Sequence, residues 1–227
     1  MISKSVRLTL VGVGAMNSPR YASAGLLVEH ARKRVMLDGG PGAVPRMPLD
    51  AWMVTDERAE LMPAIRRLSR ALGVEAGVGS FSGKGLTIEP HRVVHTSHPT
   101  YGYLIRARGW KVVWAPEFWE FPRWARGADL MFAEAAGWSR PIRFAGGVGG
   151  HQCLLDVARE ARMHKVRRLV FAHIGRPTIR AIDTGEQPPF GEFGVDGATY
   201  VLPGFPHNQV RNGAVPERNR TRLHPPD

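Results

Sequence analysis

Short apolar runs broken by turn residues fill the first forty positions. Residues 6–13, 25–29 and 34–37 are such runs, and the last closes on Asp38, Gly39 and Gly40. Runs of this length, containing β-branched residues and separated by turn formers, predict an antiparallel meander. The period then changes. Leu61, Ile65, Leu68 and Leu72 recur at helical spacing and share one face. Thr55 or Asp56 stands where a cap is needed, and Pro63 fits only a first turn.

A second strand series follows the glycine-rich stretch 77–85. It comprises residues 86–88, 93–96, 103–107 and 111–114, the last two joined through Arg108 and Gly109 as a hairpin. From residue 128 the pattern becomes strand (129–132), glycine-rich loop (146–150), helix (152–163) and strand (168–172). Strands first, then alternating strand and helix, predict a layered fold with helices outside sheets. From Pro203 on, proline, asparagine and arginine displace the apolar periodicity. Residues 1–202 are therefore expected to form one domain and 203–227 a flexible basic tail.

Length and composition narrow the function classes. A chain of 227 residues supports one sizeable core. Its single cysteine, Cys153, excludes an internal disulfide and every cysteine-cluster zinc site, which points to a reducing, cytoplasmic setting. A net charge of +11 invites a nucleic-acid partner, but the arginines are scattered instead of forming one stripe with interleaved aromatics. The charge leaves nucleic acid open and raises the odds of an anionic small-molecule or nucleotide-type substrate. No apolar run approaches the roughly 20 residues of a membrane span, so no membrane partner is expected. Lys4 and Arg7, the apolar run after them, and Ala22, Ser23 and Ala24 imitate a secretory signal. Gly12 and Gly14 inside that run, and the hairpin after it, favour a first strand that is retained.

Several motifs fail on inspection. A dinucleotide fingerprint begun at Gly12 and Gly14 would need its third glycine at Asn17. A phosphate loop around Lys84 would need glycine at Val78 and a hydroxyl at Gly85. No serine sits in a Gly-x-Ser-x-Gly elbow, and Cys153, beside Leu154 and Leu155, reads as a packed helix residue.

Four features in a fixed order survive. They are Leu37-Asp38-Gly39-Gly40 at a strand end, residues 55–61 (Thr-Asp-Glu-Arg-Ala-Glu-Leu) running into a helix, residues 95–103 with the strand that ends in Glu117, and Gly150-His151 followed by a helix and a strand ending in His173. Over about residues 5–200 this succession resembles the metallo-β-lactamase superfamily, in particular its ribonuclease Z and phosphodiesterase branch. The resemblance implies a four-layer αββα sandwich of the α+β class. It also implies two metal ions, usually zinc, that activate water against an ester, amide or phosphodiester.

The resemblance carries over residue by residue, with one severe departure. The family's Thr-His-x-His-x-Asp-His loop falls on Asp56, Arg58, Glu60 and Leu61, none of them histidine. Leu61 cannot ligate, and Arg58 sets a permanent cation where an ion would bind. The remaining metal ligands implied are Asp56, Glu60, His95 (with His98 as the competing choice), Glu117 and His173, and His151 stands at the proton-transfer position. Asp38 is expected to organise the site without ligating. A zinc or other divalent ion, at most one, or none, follows. Two functions are therefore expected to compete: a hydrolase with a reduced metal site, with His151, Asp56 and Arg58 as its catalytic groups, and a binding or regulatory protein in which Arg58 sits among Asp56, Glu60 and Glu117 and replaces the metal's charge.

Overall fold

The structure, a computed structural model, describes residues 5–147 and 149–204. The expected tail beyond Gly204 lies outside the described residues. Along the chain the elements are β1 (Val6–Gly12), β2 (Gly25–His30), β3 (Lys33–Asp38), β4 (Ala51–Met53), α1 (Met62–Ala71), β5 (Ala76–Gly77), β6 (Phe81–Gly83) and β7 (Leu86–Val93). They continue with β8 (Thr100–Ala107), β9 (Trp110–Ala115), β10 (Leu130–Ala135), β11 (Ile142–Arg143), β12 (Gly150–His151), α2 (Leu154–Met163), β13 (Leu169–Ile174), α3 (Arg176–Asp183), β14 (Glu192–Phe193) and β15 (Thr199–Leu202).

Two sheets carry the fold. The first runs β15-β1-β2-β3-β4-β5 and the second β14-β13-β10-β9-β8-β7-β6. The first three strands form the expected antiparallel meander, and β1 lies between β15 and β2.

Side-chain alternation explains the layering. In β2, β3 and β4, Leu26, Val28, Val35, Leu37 and Met53 face the core between the sheets, while Leu27, Met36 and Trp52 face the other way and pack with Met62 and Ile65 of α1. A two-residue period with apolar residues on both faces requires a cover on each side. On the far side, Leu154, Val157, Ala158 and Ala161 of α2 and Ile179 of α3 join the core of the second sheet. The order is helix, sheet, sheet, helix, the αββα sandwich.

The second sheet has a parallel centre, because β10 pairs in parallel with both β9 and β13. Every residue of β10 and β13 is buried, as expected of strands covered on both faces. Three parallel strands therefore finish at the same edge of the molecule. That edge holds the site.

Local details differ from the sequence reading or add to it in several places. The helix over 61–72 begins without a side-chain cap, and Thr55 and Asp56 are bonded elsewhere. Residues 86–88 and the start of 93–96 belong to one strand, β7, which ends at Val93 and leaves His95 in a bend. The short strand β4 was not anticipated. After His173 the chain adds α3, β14 and β15 to the domain.

Candidate functional site

A cleft of about 690 Å³ opens at this edge and is lined by Asp38, Asp56, His95, Glu117, His151 and His173, with Arg58 and Glu60 at its rim. Glu117 follows β9, Glu134 lies near the end of β10, and His173 near the end of β13, so the parallel strands deliver three functional groups side by side. The register slips between β10 and β13: Ala133 pairs with Phe171 but Ala135 pairs with Ile174, which gives β13 one extra residue. Within that bulge His173 takes a φ of +59°. A left-handed non-glycine residue costs of order 1–3 kcal/mol, and here it re-aims the ring into the site.

The side chains form an alternating chain of imidazoles and carboxylates. His95 Nδ1 lies 2.8 Å from the Gly150 carbonyl, and its Nε2 lies 2.9 Å from Glu117 Oε2. His173 Nε2 lies 3.0 Å from Glu117 Oε1, and its Nδ1 lies 3.2 Å from Glu134 Oε1. His151 Nδ1 is 2.8 Å from Glu134 Oε2. Glu134 also accepts the backbone N–H groups of Ala136 (2.8 Å) and Phe118 (3.3 Å) and is completely buried. A carbonyl can only accept, so Nδ1 of His95 carries a proton.

Charge follows geometry. Both ring nitrogens of His173 face carboxylates. Burial opposes its charged form, but Glu117 and Glu134 outweigh that and push its pKa up to about 10. Burial likewise opposes ionisation of Glu134 and Glu117, yet the histidines hold Glu134 down at about 2 and Glu117 well below the ordinary range. His95 is raised, since its bonds to Glu117 and Gly150 and the charge of Glu117 overcome desolvation. The rings of His95 and His173 and the carboxylates of Glu117 and Glu134 thus favour one another's charged forms.

The first half of the site differs from expectation. Asp56 holds His98 Nε2 at 2.9 Å from both of its oxygens and accepts the backbone N–H of Arg58 at 2.7 Å. His95 faces the cleft, and His98 backs Asp56. The placing of Arg58 among Asp56, Glu60 and Glu117 is corrected: its guanidinium is exposed and has no hydrogen bond or ion pair among the described residues. Glu60 is exposed as well. Histidines, not Arg58, pair with these carboxylates, because the chain places their rings within hydrogen-bond distance of Glu117 and Glu134. Asp38 behaves as an organiser: it accepts the Thr55 N–H (2.7 Å), the Thr55 hydroxyl (3.0 Å) and the Trp114 indole N–H (2.6 Å).

The molecule is similar to the metallo-beta-lactamase fold protein YhfI from Bacillus subtilis, at 16% identity and a TM-score of 0.68 over 87% of this chain and 100% of that one. The chain has the metallo-β-lactamase fold. It is also similar to a diphosphatase from the PhnP family (18% identity, TM-score 0.67, 87% of this chain and 97% of that one). Human tRNase Z, short form, matches at 13% identity and a TM-score of 0.62, over 86% and 98%. No protein-family model and no curated protein matches the sequence.

A metallo-β-lactamase fold implies metal, and the donors here can be tested against one. His95 and His173 each have Nδ1 anchored, to a carbonyl and to a carboxylate, and each turns Nε2 to the same Glu117. Ligating histidines are oriented by such anchors, so His95, Glu117 and His173 are candidate ligands, with the two rings meeting different oxygens of Glu117. Glu134, His151 and His173 also gather donor atoms within 4.8 Å of one another. Glu134, however, already accepts two backbone N–H groups and two rings, and it is better suited to orient those rings. Elsewhere in the lining Leu61 offers no donor atom, and Asp56 is paired with His98.

Glu134 was not anticipated from sequence. The signal was present as a lone carboxylate in the run Leu130 to Ala136, otherwise apolar throughout.

Proposed function

We propose that the chain is a hydrolase of phosphodiester or related ester substrates, akin to the ribonuclease Z and phosphodiesterase branch, with one divalent ion in place of two. The convergence of His95 Nε2 and His173 Nε2 on Glu117 at the floor of the cleft carries this reading. An ion held by these three residues would supply Lewis-acid polarisation of the ester and a lowered barrier to attack by water. Asp38 fixes the loop that carries Thr55 and Asp56. Glu134 holds the Nδ1 proton of His151 and leaves Nε2 for the cleft, where it can take the proton of the attacking water and return it to the leaving group. The fit to zinc rests on the nitrogen and oxygen donors, which suit manganese and iron as well.

The test is hydrolysis of bis(p-nitrophenyl) phosphate and p-nitrophenyl esters by protein loaded with zinc or manganese, with and without a chelator. Chelator-sensitive turnover is expected, lowered about 10²-fold or more by His151→Ala. Turnover unaffected by both the chelator and His173→Ala would contradict the proposal.

One observation favours a second reading. Glu117 and Glu134 are both hydrogen-bonded by the protein's own histidines, so a metal-free binding protein is also chemically self-consistent. Its signature is ligand binding with no turnover under any metal.

A further inference from the structure

The walls of the cleft, as distinct from its floor, carry a second signal. The floor carboxylates are engaged: Asp56 by His98, and Glu117 by His95 and His173. The rim differs. Arg58, just before α1, and Arg176, at the start of α3, both line the cleft, both are exposed, and neither has an acidic or hydrogen-bonding partner among the described residues. Beside Arg176, α3 begins at Gly175 with no side-chain cap and no acidic residue in its first turn, so its N-terminal field adds to the positive rim. Among the described residues that line the cleft, Glu60 is the exposed acid.

The same cleft also has apolar lining. Leu61 and Ile65 lie one turn apart along the start of α1, and Ile142 and Phe144 come from the hairpin that ends at His151. Ile142 remains 38% exposed, and no described side chain covers it fully. A volume of about 690 Å³ is in the range of small-molecule sites.

We propose that this cleft takes an amphiphilic organic anion, with one anionic head held by Arg58 and Arg176 and an apolar body laid against Leu61, Ile65, Ile142 and Phe144. The proposal deepens the reading of the cleft as a substrate site and rests on it for the position of the scissile bond, but not for binding itself. A guanidinium presents paired donors that match a carboxylate, sulfonate or phosphate, and two of them unengaged at one rim select for charge. A neutral apolar compound would gain the walls and not the rim. Inorganic phosphate would gain the rim and not the walls.

Binding tests this without turnover. The full chain is titrated with 8-anilinonaphthalene-1-sulfonate, with the uncharged N-phenyl-1-naphthylamine, and with inorganic phosphate as competitor. The sulfonate is expected to bind more tightly than the uncharged probe. Arg58→Ala and Arg176→Ala should each weaken it about fivefold or more while leaving the uncharged probe within about twofold. Ile142→Ser should weaken both probes, and Glu60→Gln should tighten the sulfonate alone. Equal affinity for the two probes, no response to either arginine variant, or phosphate competing as strongly as the sulfonate would overturn the proposal. Expected binding without ester hydrolysis would end the hydrolase reading and leave this one standing; chelator-sensitive hydrolysis without arginine-dependent binding would do the reverse.

Discussion

At the scale of single residues, Asp38 shows how burial and hydrogen bonding compete. Three donors favour its charge, but desolvation prevails, with help from the nearby charge of Glu117, and its pKa is pushed up to about 6. An acid whose folded pKa is raised contributes stability that is present at low pH and lost as pH rises through the folded value. Relative to Asp38→Asn, the native protein should therefore lose stability between about pH 4 and pH 6, by on the order of 1–2 kcal/mol after allowing for partial exposure, and then level off. Thermal melts of both proteins across this range check the sign, and a native protein that gains stability relative to Asp38→Asn as pH rises would refute it. Which residues mattered was only partly legible. Asp56, His95, Glu117, His151 and His173 were expected to converge, and all five line one cleft. The partners were not legible, because Glu134 pairs with rings 17 and 39 positions away and His98 reaches back 42 positions to Asp56. Contacts at such separations are set by strand order, which no local window contains.

Elements show where propensity yields to pairing. Pro90 splits the pattern of residues 86–96, yet β7 runs unbroken beside β8 from Leu86 to Val93. On its other side β7 pairs with β6 only at Leu86 to Ile88, so Pro90 sits where β7 is an edge and its missing N–H costs no ladder bond. The glycine-rich loop, in contrast, was placed correctly, and its chemistry can now be stated. Gly150 N–H donates to the His95 carbonyl at 2.9 Å while the Gly150 carbonyl accepts His95 Nδ1, a two-point clasp between this loop and the bend after β7. Gly149 has a φ of +143°, and a Cβ there would overlap the His95 carbonyl. Gly149→Ala should thus displace the clasp and shift the ring resonances of His95 and His151, read by NMR. Gly73→Ala, at a φ of +74° with open space around it, is the control that should move neither. Unchanged rings in Gly149→Ala would show that the clasp does not position them.

Across the whole molecule, the order of strands and helices was legible because alternation is a property of each strand, as in Leu26, Leu27 and Val28, whose faces divide cleanly between the two sides of the sheet. The consequence of that order was less visible. Parallel pairing of β9, β10 and β13 places Glu117, Glu134 and His173 at one edge, and Arg58 and Leu61, which cannot ligate, line the same cleft. We propose that the donors which remain hold a single ion at His95, Glu117 and His173, with Asp56 taken up by His98. The most direct test of this claim is metal stoichiometry, by elemental mass spectrometry on protein made without a histidine tag, saturated with zinc and freed of excess by gel filtration. The account predicts about one ion per chain in the native protein and a large loss in His173→Ala, since binding energy falls when a nitrogen ligand is removed. Two ions per chain, or none retained, would contradict it.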